Sequence, residues 1–173
     1  VPLIAVVNGE TDAREITVDT RTVEVVFTNR GARVIHWRLK AHRDEQGRPV
    51  DLVPSGVPAA QLSPFALQTE DAAQSARLND AVYKVSGDVN GRLDATAAEG
   101  TLAFEFQDAE GLRVRKTFTF VPDGYVVSFS AAVSAGDVTI NPTVVWGPGL
   151  GDMGALSGGG SFFTGNYVQP PQA

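Results

Sequence analysis

The sequence predicts a mainly β domain made of antiparallel sheets packed face to face, with at most one or two short helices. Three observations carry that expectation. Apolar residues recur with a period of two in segment after segment, roughly ten in all, which is the spacing that sends alternate side chains to one side of a strand. The segments are separated by turn chemistry, including a D-x-x-G signature that is repeated at residues 44–47 and 108–111. Only one stretch suits a helix. Sheets with a single apolar face bury it most simply against one another.

In chain order, residues 8–15 (NGETDARE) are polar and turn-rich and read as a linker into the first strand. Next, Val23, Val25 and Phe27 alternate with Thr22, Glu24 and Thr28. A turn at Asn29-Arg30-Gly31 follows, then Ile35, Trp37 and Leu39 alternate with Val34, His36 and Arg38. After the first D-x-x-G turn the chain returns through Pro49 to Val53. Residues 54–80 are the least regular; one short helix could form around Thr69 to Leu78, with Thr69 as N-cap and Glu70 and Asp71 in the first turn, but its apolar content is mostly alanine, which argues against it. Short strands are expected around Val82 to Val85 and Arg92 to Ala95, with turns at Gly87 and Asn90-Gly91.

Residues 101–133 are the clearest part. Leu102, Phe104 and Phe106 share one face of a strand, and Val114, Phe118 and Phe120 share a face of the next. The link Asp108-Ala109-Glu110-Gly111 suits a turn whose last residue takes positive φ, which glycine adopts without a Cβ clash. That choice fixes the register: Phe106 opposite Val114, Leu102 opposite Phe118, and Glu105 opposite Arg115 on the wet face. Lys116 then falls on the apolar side beside Phe104, where it is expected to snorkel or sit near an edge. After the turn at Pro122-Asp123-Gly124, Tyr125, Val127, Phe129 and Val133 are expected on the apolar face of a third strand. Residues 138–146 form another strand candidate, interrupted at Pro142, which lacks a ladder donor and suggests an edge or bulge. The remainder is glycine-rich and without period.

Composition narrows the function. The 173 residues suffice for one domain with a substantial core. A net charge of −6 disfavours nucleic acid, which needs a basic surface to release counterions. With no cysteine, thiolate chemistry and disulfides are excluded. The apolar start VPLIAVV is far short of the roughly 20 residues that span a bilayer.

Most chemical motifs fail on context. Gly149-x-Gly151-x-x-Gly154 has the spacing of a dinucleotide fingerprint but no following helix or downstream acid, so it reads as a tight glycine loop. The two histidines, His36 and His42, match no zinc motif and read as surface residues. Asp88 to Asp94 offers oxygen ligands without calcium-loop spacing and reads as a solvated turn. Trp146, Phe162, Phe163 and Tyr167 lie in or beside the glycine-rich segment. They either pack a long loop onto the core or line an apolar cleft for an extended peptide or sugar, since aromatic rings supply contact area at low entropic cost.

Three segments together resemble the periplasmic domain of the YidC-type bacterial membrane protein insertases: ITVDTRTVEVVFTNRGARVIHWRLKAHRDEQGRPVDLV (16–53), KTFTFVPDGYVVSF (116–129) and VVWGPGLG (144–151). They are collinear over residues 16–167. The resemblance implies an antiparallel β-supersandwich related to the galactose-mutarotase fold, held on the outer face of the inner membrane. It implies residues 1–15 as a linker following a membrane anchor and 16–173 as the periplasmic domain, truncated at its C-terminus. The implied function is to aid insertion and folding of inner-membrane proteins, alone or beside the Sec translocon. The implied partners are Sec accessory subunits and nascent membrane proteins. The family's hydrophilic groove belongs to its membrane core, so no catalysis, cofactor or metal is expected here, and the contact candidates remain Trp146, Phe162, Phe163 and Tyr167. The alternative is a mutarotase-like carbohydrate-binding or aldose-epimerase domain, which would need His36 or His42 facing a carboxylate across a sugar.

Overall fold

The computed structural model describes residues 6–53 and 64–146. It is a sandwich of two large sheets. In the first, β1 (Val6–Asn8), β9 (Gly100–Asp108), β10 (Leu112–Phe120), β11 (Val127–Ala135) and β12 (Val138–Ile140) lie in that order, and β7 (Lys84–Ser86) pairs with β9 beside β1. In the second the order is β5 (Pro49–Asp51), β4 (Arg33–Arg43), β3 (Val23–Thr28), β2 (Glu15–Asp19), β8 (Arg92–Asp94). Neighbours are antiparallel except β2 and β8, which run parallel. A third, two-stranded sheet joins β6 (Ala66–Gln68) to β13 (Thr143–Val145).

The core lies between the inner faces of the large sheets. Val23, Val25, Phe27, Val34 and Trp37 face Leu102, Phe104, Val114, Phe118 and Phe120, all buried. Phe27 is the hub: its ring lies 4.7 Å from Phe118 edge to face and 5.5 Å from Phe104. Such pairs add about 0.5–1.5 kcal/mol beyond the area they bury.

The β9–β10 hairpin has the register its turn demands. Val114 lies opposite Phe106, Phe118 opposite Leu102 and Arg115 opposite Glu105. Gly111 closes the turn at φ 85°, and Asp108 accepts from the amides of Glu110 (3.0 Å) and Leu112 (2.9 Å). The D-x-x-G turn at 44–47 is built the same way, Gly47 at φ 77° and Asp44 accepting from the amides of Gln46 and Arg48.

Other elements depart from expectation for identifiable reasons. The helix, α1 (Ala72–Asp80), exists, but its N-cap is Asp71, whose carboxylate accepts from Ala73 and Gln74 N–H. Thr69 instead donates its hydroxyl to the Asp71 carbonyl and takes Ser75 Oγ at its amide. Leu78 is the helix's buried side chain, and Asn79 pairs through its amide with both main-chain groups of Leu67, closing one side of β6. Pro142 marks an edge rather than a bulge, and more than that: it divides β12, the last strand of the first sheet, from β13, which belongs to a different sheet. Tyr125 precedes β11 and lies half-exposed against His42, ring centroids 6.2 Å apart, rather than on the strand's inner face.

The stretch 8–15 is packed rather than free. Β1 pairs with β9, Glu10 N–H donates to Val82, and Arg14 bridges Glu10 and Asp88, 2.8 Å from each. The Arg14 guanidinium holds the carboxyls of Glu10 and Asp88 below the usual range. Asp88 is therefore ion-paired and nearly buried, not a solvated turn residue.

Candidate protein-contact surface

Among the four aromatic residues singled out from sequence, Trp146 is described; Phe162, Phe163 and Tyr167 lie outside the described residues, as does the glycine loop at 149–154. Trp146 follows β13 and is 50% exposed. Its ring meets Phe65 at 4.9 Å and 71°, edge to face. Phe65 is buried and in turn meets Phe118 and Phe129, each at 5.0 Å. Trp146 is thus the outer end of an aromatic column that runs down to Phe27.

Phe65 holds an unusual backbone. Its φ is 69°, a left-handed conformation that costs a non-glycine residue about 1–3 kcal/mol. The cost is met by specific bonds. Its N–H donates to the Val145 carbonyl (3.0 Å), and its carbonyl accepts from Lys116 Nζ (2.7 Å).

Lys116 corrects the expectation of a snorkelling or edge side chain. It sits on β10, a strand paired on both sides, and is fully buried. Its amine donates to three carbonyls, Gly31 (2.7 Å), Ala32 (3.2 Å) and Phe65 (2.7 Å), and lies 5.6 Å from the Tyr83 ring centre. Three acceptors match the three donors of an ammonium. Burial, with the like charge of Arg33 nearby, pushes its pKa down to about 7. The lysine thus clamps the β3–β4 turn and the start of β6 to the first sheet. The sequence flags Lys116 by its place among apolar alternates; nothing in it flags Phe65.

The histidines form no acid–base pair across a cleft. His36 Nδ1 lies 2.6 Å from Asp51 on the adjacent strand, and Asp51 also accepts from the amides of Trp37 and Val53. Two depressions, of about 330 and 380 Å³, are described. The first lies on the outer face of the first sheet over Arg113, Ala132 and Ser134, the second between Arg33, Gln68 and α1; neither is lined by a histidine. Among the described residues no cluster of three or more acidic or histidine side chains could hold a metal. No described helix is long and apolar enough to cross a membrane.

A sandwich of this topology, with a cysteine-free acidic sequence, can be compared with known proteins. The profile of the YidC periplasmic domain matches residues 15–145. The chain belongs to the YidC periplasmic-domain family. The membrane protein insertase YidC of Citrifermentans bemidjiense is 29% identical over 135 residues, covering 76% of this chain and 24% of the relative. The chain therefore spans about a quarter of that relative's length. Family membership places the domain in the periplasm at the bacterial inner membrane. Matched residues 15–145 include Phe65 and Lys116, while Trp146 is the next residue beyond the match.

Proposed function

We propose that this chain is the extracytoplasmic domain of a membrane protein insertase, aiding insertion and folding of inner-membrane proteins through protein–protein contact and without catalysis. Residues 16–173 form the main part of the domain, and residues 1–15 lead into it from the membrane side, those from Val6 onward packed against the sandwich. The observation that carries the contact reading is Trp146, a large ring half in water yet fixed by an ordered aromatic column. Exposed aromatic anchors of this kind concentrate binding energy in protein interfaces. Phe162, Phe163 and Tyr167, outside the described residues, stay contact candidates from the sequence alone, and the partners are Sec accessory subunits or nascent membrane proteins.

A photo-crosslinking amino acid at position 146 of the full-length parent tests this. Adducts with an accessory subunit or with a membrane protein under synthesis are the expected result. Absence of protein adducts, with insertion unchanged in Trp146→Ala, would remove the reading. A mutarotase-like activity has weaker support, because neither of the two described depressions is lined by His36 or His42.

A further inference from the structure

Strand β11 pairs with β10 along all nine residues, but β12 covers its other side only at Val133, Ser134 and Ala135. Residues 127–132 have no ladder partner on that side among the described residues. Six residues of strand are about 20 Å of main chain whose outward donors and acceptors meet no ladder partner among the described residues. Natural sheets blunt such edges with charge, proline or brevity. Here β5 carries Pro49 and Asp51, β7 carries Lys84, and β8 carries Arg92 and Asp94. From Tyr125 to Ala135 there is neither a charge nor a proline.

The faces on either side of this edge are equally distinctive. On β10 the inward residues Val114, Lys116, Phe118 and Phe120 are all buried, whereas on β11 Val127, Phe129 and Ala131 are only half-buried. Burial is complete again at Val133, where β12 begins to pair. The inner wall beside the open edge is apolar, with Phe129 against Phe65 and Phe118. The outer wall is small and exposed: Ser128, Ser130 and Ala132.

We propose that the open edge of β11 at residues 127–132 is a β-strand addition site for an extended, uncharged polypeptide segment alternating apolar with small side chains, as an unfolded membrane-protein client presents. Main-chain bonds to the edge supply affinity, and the apolar inner wall selects the alternate side chains. An acidic or basic segment is disfavoured, because its inward side chains would desolvate beside Phe129 without a partner. The client identity rests on the insertase reading above; the edge itself does not.

The test uses the whole chain and a synthetic probe, nine residues of alternating valine and threonine with a lysine at each end for solubility. Two further probes carry N-methyl groups on one or the other alternate set of amides. A strand added at this edge directs only one set toward β11, so the unmodified probe and one N-methylated probe bind, and the other does not. Saturating probe slows exchange of the outward amides within 127–132 by about tenfold or more. Equal binding of both N-methylated probes overturns the proposal. So does protection confined to other strands, or a chain that sediments as a dimer with these amides protected without probe. Failure here leaves the client-contact reading intact, since the crosslink from position 146 examines that separately.

Discussion

Replacing Lys116 by methionine separates the two opposing effects of burying an amine. The substitution keeps an unbranched chain in the core and removes three hydrogen bonds, leaving the carbonyls of Gly31, Ala32 and Phe65 without that donor. Each buried group left unsatisfied costs about 1–3 kcal/mol, so a net loss on the order of 3 kcal/mol is expected near neutral pH, after the relief of no longer burying a charge. The pH dependence is the sharper signature. The folded pKa, about 7, lies below the ordinary 10.5, so between these values the unfolded chain holds a proton that the folded chain has released. Stability of the wild type therefore rises with pH across that window, by up to about 1.4 kcal/mol per unit. Below pH 7 both states are protonated and this slope vanishes. Other groups cancel in the difference between wild type and Lys116→Met. Urea unfolding at pH 6 and pH 9 should show the mutational loss growing by about 2–3 kcal/mol at the higher pH. A difference that stays flat would mean that the three carbonyls hold the ammonium as well as water does, and would refute the argument from burial.

Two further substitutions test the framework. Arg14→Ala strands Glu10 and Asp88, and after discounting for the third of the arginine that is exposed it should cost about 1–2 kcal/mol at pH 6. Both carboxyls titrate below their ordinary 4.5 and 3.8, so the contribution is complete above 4.5 and is lost as the pH falls through the lowered folded values; the gap between wild type and variant should hold at pH 4.5 and narrow on further acidification in acid titrations. Gly87→Ala forces a side chain into φ 102° with its Cβ 2.1 Å from the Thr101 carbonyl oxygen. A loss of about 2–4 kcal/mol by thermal or urea melting is expected, and a loss below about 0.5 kcal/mol would mean that the β7–β9 approach is looser than described.

The contrast between Phe106 and Lys116 shows what sequence reveals in this molecule. Phe106 opposite Val114 follows from two local facts, a period of two and a turn that needs glycine at one position. Both are written within residues 101–120. The environment of Lys116 is not local: its acceptors come from residues 31, 32 and 65, and a lysine among apolar alternates is compatible with an edge until the sheet order is known. Helix α1 lies between these extremes. Thr69 and Asp71 are both suitable caps, and the choice between them depends on Ser75, one turn into the helix, accepting Thr69 into a separate bond. Proline at 142 announced a break, but only the partner strands, β11 on one side and β6 on the other, decide that the break is a change of sheet.

That change of sheet joins the two surface features. By leaving β11 at Ile140, the chain leaves residues 127–132 without a second ladder partner among the described residues, and by pairing with β6 it brings Trp146 onto Phe65. Phe65 also touches Phe129, the central inward residue of the open edge, so the exposed indole and the free strand share one buried ring. The backbone of that ring is held in place from below by Lys116. The lysine thus has a physical rationale beyond stability: a leucine at the same position would fill the core, but it could not fix the Phe65 carbonyl that orients both. Loss of the amine is accordingly expected to disturb the packing of Trp146 on Phe65, the proposed contact surface, even under conditions where the sandwich remains folded.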